Sequence, residues 1–398
     1  MLRGLRTGGL AGALIGWRAR RIADPVARLR FLRRTVGDQS WFTLEPHGRP
    51  RLWLRKRRRA VLWSMAALVL LPAGEVGLRL MRPAERSPIV VAGAGAPAPS
   101  AAPPTVWLAE QQKDFESWSN GLRVERRFET PNEPRLYYAY PAGREQPGGG
   151  EPKTAPAGIV FHTTESHQAD FEPGNLKRLK LIGEALLRYV QENRSYHYVV
   201  DRFGRVWRVV RETDAANHAG YSVWADARHT YINLNRAFLG ISLEAQSQPE
   251  NGGAVATPAQ IHALRLLTEM LRSKYAIEAG NCVTHAQVSV NPSNMRIGYH
   301  TDWAAHFPYA EAGLPDNYAR PLAALWLFGF SYDPQLVETT GAAYWKGLVL
   351  AEDQLRQNAT ARGVAVARWR NELHQRYRAI LKDQQQRTGL PAEQASEH

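Results

Sequence analysis

The sequence predicts an α/β protein: a mixed central β-sheet flanked by helices, with an N-terminal membrane anchor and a C-terminal helical extension. Three observations predict it. Between residues 157 and 285, short apolar or alternating runs are separated by segments with helical spacing. One connection, Asp201-Arg202-Phe203-Gly204, carries a hairpin-turn signal, so the sheet is not purely parallel. A block of basic residues runs directly into an apolar stretch before any of this begins.

Residues 1–59 hold 16 Lys+Arg against 3 Asp+Glu, while the whole chain carries +14. The excess positive charge therefore sits in this arm, and the remaining residues are close to neutral. No nucleic-acid-binding motif accompanies it, so no nucleic-acid partner is expected. Arg55-Lys56-Arg57-Arg58-Arg59 leads into Ala60-Val61-Leu62-Trp63, and apolar character continues to Met81. A span needs about 20 residues, a length that 60–81 reaches by including Glu75 and Arg79. A basic flank before an apolar run holds the N-terminus in the cytoplasm. The expectation is a single-pass protein of the cytoplasmic membrane, with its body outside, in the periplasm or cell wall. Residues 82–105, rich in Ala, Pro and Gly, read as a linker.

Residues 106–156 form a short mixed segment expected to pack on the main domain, which spans 157–324. In that domain Ile159-Val160-Phe161-His162 reads as a buried strand, and Leu176, Leu179, Ile182, Leu186 and Val190 mark a helix over 175–192. Tyr196–Val200 and Arg205–Val210 flank the hairpin turn, and Phe238–Ala245 is a further strand. Thr257-Pro258-Ala259-Gln260 opens a helix with a capping box and Pro at the first helical position. Cys282–His285 is a last short strand. Residues 325–398 are mostly helical and charged, one long helix or a helical pair over 340–385. The one cysteine, Cys282, excludes an intramolecular disulfide and reads as a small buried residue.

Nine of the twelve histidines fall between 157 and 310, which points to a metal or acid–base site there. His162 and His285 end apolar strands, where sheets place functional groups. Asp302 lies in Tyr299-His300-Thr301-Asp302-Trp303. Two imidazoles and one carboxylate leave a fourth tetrahedral position open, the arrangement of catalytic zinc.

Six elements over about residues 157–315 resemble, in order, the amidase-2 family of N-acetylmuramoyl-L-alanine amidases, related to phage lysozyme-type amidases and peptidoglycan recognition proteins. They are Phe161-His162-Thr163-Thr164, Ser195-Tyr196-His197-Tyr198 with its hairpin, Asn217-His218-Ala219-Gly220, Leu239-Gly240-Ile241-Ser242-Leu243-Glu244, Thr284-His285, and His300-Thr301-Asp302 with Phe307-Pro308-Tyr309. The resemblance implies zinc-dependent hydrolysis of the amide between N-acetylmuramic acid and L-alanine, with Zn2+ held by His162, His285 and Asp302. It implies a peptidoglycan or muropeptide substrate, and a monomer is expected. The alternative is a membrane-tethered peptidoglycan-binding module without catalysis. The chain departs from the family in two places. His300 stands where a Lys usually precedes the third ligand, and Pro292-Ser293-Asn294-Met295-Arg296 replaces the usual Pro-Gly-Arg in a longer loop. His300 is therefore an alternative ligand, with Asp302 as its orienting partner.

Roles follow from this reading. Strand alternation turns Glu244 away from Ile241 and Leu243, which makes it the first candidate for general base. Tyr196 resembles the family's site tyrosine and would hydrogen-bond the attacking water or the oxyanion. His300, if protonated, would replace the Lys, and activity would then fall in alkali as it loses its proton. His218 is expected to contact substrate. His197 alternates with Tyr196 and faces the other side.

Overall fold

The computed structural model describes residues 105–388 apart from 143–148, 221, 248–254 and 333. They belong to a unit spanning Glu85–His398. The basic arm, the anchor at 60–81 and nearly all of the linker lie outside the described residues. Among the described residues, no helix is long and apolar enough to cross a membrane.

Strands β1 (Leu108–Gln111), β2 (Phe115–Trp118) and β3 (Arg123–Glu125) come first, then β4 (Tyr137–Pro141) and β5 (Glu151–Lys153). β6 (Gly158–Thr163) is buried at all six positions. Next come helix α1 (Leu176–Asn193), the hairpin β7 (Tyr198–Val200) and β8 (Val206–Arg208), and then β9 (Val223–Ala225) and β10 (His229–Ile232). A one-turn helix α2 (Leu234–Ala237) feeds β11 (Phe238–Leu243), also buried throughout. Helix α3 (Pro258–Tyr275) is followed by β12 (Cys282–Thr284) and the one-turn α4 (His285–Val288).

The main sheet has eight strands in the order β1-β2-β3-β8-β7-β11-β6-β12. β6, β11, β7 and β12 run parallel where they pair, while the β7–β8 hairpin is antiparallel. A continuous apolar run such as Phe238–Leu243 suits a parallel strand covered on both faces. Ile241 and Leu243 join Leu264, Leu267 and Leu271 of α3 in the largest core cluster. Val199 packs on the other face with Leu187 and Val190 of α1. The hairpin forms as the sequence predicts: Gly204 has φ +78°, and Asp201 Oδ1 accepts the Phe203 and Arg205 N–H groups, each at 3.0 Å. The α3 cap forms too, with Thr257 Oγ1 accepting from Gln260 N at 3.2 Å and Gln260 Oε1 from Thr257 N at 3.0 Å.

Residues 106–156 do more than pack on the domain. β1–β3 extend the main sheet, and β4 and β5 join β10 and β9 in a four-stranded sheet of order β5-β4-β10-β9. The C-terminal residues form α5 (Ala323–Phe328) and then a helical pair, α6 (Pro334–Ala361) and α7 (Val366–Thr388). Pro334 opens α6, where its missing N–H costs no helical bond. Leu348, Ala351, Tyr377 and Ile380 enter the same core cluster as β11 and α3, and Tyr140 Oη donates to Asp383 at 2.9 Å. The extension is thus part of the core and not an appended tail.

Candidate metal centre

The site forms where β6, β11 and β12 end, the edge at which parallel α/β sheets place their ligands. His162 sits near the end of β6 and is register partner of Ser242 on β11. Ser242 is in turn the register partner of Val199, so His162 projects toward the face that carries α1. His285 follows β12 directly and begins α4. Thr284 N donates to Gln287 Oε1 at 3.0 Å, and this fixes the turn. Asp302 is tied to the same turn, because Ala286 N donates to its carbonyl at 3.3 Å. The long loop from His285 to Asp302 contains its own small hairpin, β13 (Val290–Asn291) and β14 (Arg296–Ile297). Below it, Phe307 stacks on Phe161 of β6 with centroids 4.5 Å apart.

Three side chains converge. Asp302 Oδ2 lies 3.1 Å from His162 Nδ1, and Asp302 Oδ1 lies 2.8 Å from His285 Nδ1. One donor atom from each residue falls within a 4.8 Å cluster. His162 is 1% exposed and His285 6% exposed, so a polar group here needs a partner. Burial and the neighbouring His285 push the His162 imidazole down to about 4, against the pull of Asp302. It is therefore neutral at neutral pH. The Asp302 carboxyl, although burial opposes its charge, is held well below the usual carboxylate range by His285 and His162. A neutral His162 imidazole and an anionic Asp302 carboxylate are protonation states that suit a divalent metal. The donor set, two nitrogens and one oxygen from buried side chains, fits zinc.

Other expected residues surround this cluster. Tyr196, at φ +48°, places its ring 5.1 Å from the His162 ring. Burial, with the Asp302 charge second, raises its pKa, so the phenol stays a neutral hydrogen-bond donor. His300 stacks on His285 with centroids 4.6 Å apart and planes at 21°, outside the three-residue cluster. Burial and His285 lower His300 to about 4. This corrects the expectation of a protonated His300: in this environment the ring is neutral at neutral pH, and no loss of its proton in alkali follows.

His218, expected to contact substrate, places its Nδ1 3.1 Å from His162 Nε2. Glu244 does point away from Ile241 and Leu243, but its carboxylate is engaged elsewhere. Oε2 accepts the Arg202 N–H at 3.2 Å, and Gly183 of α1 lies against it. Burial raises Glu244 to about 7. That value suits a general base, but geometry ranks before pKa, and these contacts turn Glu244 toward the hairpin turn and α1. Cys282 is fully buried, and burial pushes its thiol up to about 12, so it is an inert core residue.

One residue behind the site, Arg135, carried no signal in the sequence. Arg135, 2% exposed, spends its guanidinium on the backbone carbonyls of Glu212, Asp214, Arg236 and Phe238. Its Nη2 also lies 2.7 Å from His197 Nε2. His197 is buried beneath β11, where its Nδ1 accepts Gly240 N–H at 2.9 Å. Tyr299, 40% exposed, stands edge-on to His300 at 4.7 Å.

Comparison with known proteins gives this segment a family. Residues 152–302 match the Amidase_2 family model, described as N-acetylmuramoyl-L-alanine amidase, and this segment is an Amidase_2 domain. A stretch of 106 residues is 36% identical to N-acetylmuramoyl-L-alanine amidase AmiD of Escherichia coli (strain K12). The match takes in 24% of this chain and 37% of that relative, so the chain spans little more than a third of the relative's length. Among solved structures, the complex of E. coli AmiD with anhydro-N-acetylmuramic acid-L-Ala-D-gamma-Glu-L-Lys matches at 22% identity, over 68% of this chain and 98% of that one, with a TM-score of 0.32. AmpDh3 from Pseudomonas aeruginosa, in complex with anhydromuramic pentapeptide, matches at 20% identity, over 59% and 93%, with a TM-score of 0.33.

Proposed function

We propose that this chain hydrolyses the amide bond between N-acetylmuramic acid and L-alanine in peptidoglycan or its fragments, using zinc held by His162, His285 and Asp302. The observation that carries the reading is the convergence of these three donors within 4.8 Å, inside the segment that matches the amidase family. A zinc ion bound there would polarise the scissile carbonyl and lower the pKa of a water molecule enough to make it a nucleophile.

This chain's own residues would do the rest. Asp302, held anionic beside the two histidines, would complete the donor set and offset part of the metal's charge. Tyr196, kept neutral, donates its phenolic hydrogen to the attacking water or to the oxygen that gains charge in the transition state. Neutral His300, stacked beside His285, supplies a second hydrogen bond where a charged Lys would otherwise stand. The half-exposed Tyr299 ring continues this wall outward, toward solvent and substrate. The apolar run at 60–81, with its basic flank, supports a single-pass anchor that holds this domain outside the cytoplasm, next to the wall.

The test combines metal analysis with digestion of purified wall. The protein is expected to carry about one zinc per chain and to release free stem peptides. His162→Ala is expected to lose both. If His162→Ala keeps its metal and its activity, the reading is wrong. If the protein binds wall without metal and releases no peptide, a wall-binding module replaces it.

A further inference from the structure

We propose that Asn235 is a positioning residue for the metal centre, acting through His218 on the orientation and tautomer of His162. The inference rests on the reading of His162 as a zinc ligand. Asn235 lies on α2, just before β11, and is 7% exposed. Its Oδ1 accepts three successive backbone N–H groups: His218 at 2.8 Å, Ala219 at 2.6 Å and Gly220 at 2.9 Å. One side-chain oxygen thus gathers the backbone of the whole turn that carries His218, and an apolar residue at 235 would leave three donors without it. Buried donors without partners are costly, so the turn would have to move.

The His218 ring is confined from the other side by β11. A Cβ added at Gly240 would stand 2.6 Å from His218 Cγ, so the residue at 240 must be glycine for the ring to lie where it does. Held between Asn235 and Gly240, His218 presents Nδ1 to His162 Nε2 at 3.1 Å. The other His162 nitrogen, Nδ1, faces Asp302. An imidazole that ligates a metal through Nδ1 as a neutral ring carries its hydrogen on Nε2. The His218 Nδ1 lone pair accepts that hydrogen, which fixes both the ring plane and the tautomer of His162. Partners of this kind in metal sites are worth about 10–100-fold in metal affinity.

The experiment measures zinc dissociation constants for the metal-free full chain and for Asn235→Ala, Asn235→Asp, His218→Ala and the double variant Asn235→Ala/His218→Ala. Cobalt absorption spectra of the same proteins report ligand geometry directly. Asn235→Ala and His218→Ala are each expected to weaken zinc by about 10–100-fold and to alter the cobalt band. Asn235→Asp keeps the acceptor and is expected to restore wild-type affinity. The double variant is expected to bind no more weakly than His218→Ala alone, because both changes remove one path. Additive losses, or an Asn235→Ala affinity within about threefold of wild type, would overturn the inference. Should Asn235→Ala fail to fold, Gly240→Ala takes its place in the same cycle with the same expected non-additivity. A wild-type protein that binds no zinc, or a His162→Ala variant that binds it normally, overturns the zinc reading itself.

Discussion

Glu244→Gln separates a catalytic carboxylate from a structural one by two independent measurements. In the folded protein burial raises Glu244 from 4.5 to about 7. Between those values the native state keeps a proton that the unfolded chain has released, so stability falls as pH rises through the window. At about 1.4 kcal/mol per tenfold change, the ionised carboxylate costs the fold about 3 kcal/mol by pH 8. The residue is 3% exposed, so solvent screening takes little from that figure. Glutamine keeps an oxygen for the Arg202 N–H, which now reaches Oε2 at 3.2 Å, and has no charge to bury. Urea denaturation at pH 4.5, 6, 7 and 8 is expected to show the two proteins equal in acid and Glu244→Gln ahead by about 1–3 kcal/mol at pH 8. Activity is expected to stay within a few-fold. Equal stability of the two proteins at pH 8 would refute the burial argument. An activity loss in the range of about 100-fold or more, the usual effect of removing a general base, would return Glu244 to the chemistry.

Four further outcomes follow from the same geometry. Removing zinc with a chelator is expected to abolish hydrolysis reversibly and to lower thermal stability, since a ligand at about 100 times its Kd adds about 2.7 kcal/mol; an unchanged melting curve would speak against a site in the folded core. Tyr196→Phe is expected to keep the metal and lose about 100–1,000-fold in kcat, the usual effect of removing one oxyanion donor, as measured by peptide release at saturating substrate. As far as His162 governs it, zinc affinity is expected to stay level from pH 7 down to pH 5 and to weaken progressively, about tenfold per pH unit, below about 4, where the metal-free ring takes its proton; equilibrium dialysis across that range reads it. Arg135→Met removes the donor from four carbonyls, three of them in buried contacts, and is expected to cost at least about 3 kcal/mol in denaturant titration.

Local chemistry was legible in the sequence. The Asp201–Gly204 turn, the Thr257 capping box and the apolar runs of β6 and β11 each depend on residues a few positions apart, and each forms as expected. His162 and His285 were legible because a polar ring at the end of an apolar strand breaks a local pattern. β1 was not legible, because its four residues are all exposed and carry no alternation to read; it joins the sheet through β2 alone. Glu244 shows a subtler limit. Alternation gave its face of the sheet correctly, but a face does not say where along the strand a carboxylate ends up or which N–H it meets.

Asn235 and His218 show why the rest of the site could not be read from spacing. Asn235 is 17 residues from His218, and His218 is 56 from His162, and no period or motif links them. What joins them is the sheet. β11 lies beside β6 in parallel register, with Phe238 opposite Gly158 and Ser242 opposite His162, so the turn that enters β11 stands at the start of β6, and the His218 ring reaches from it to His162. The same register explains Gly240, two positions before Ser242, the register partner of His162. β11 must also leave room for the His218 ring, which a Cβ at Gly240 would meet. Sequence patterns therefore reveal the donors that converge in the cluster, while the groups packed against them are set by strand order, which only the folded chain displays.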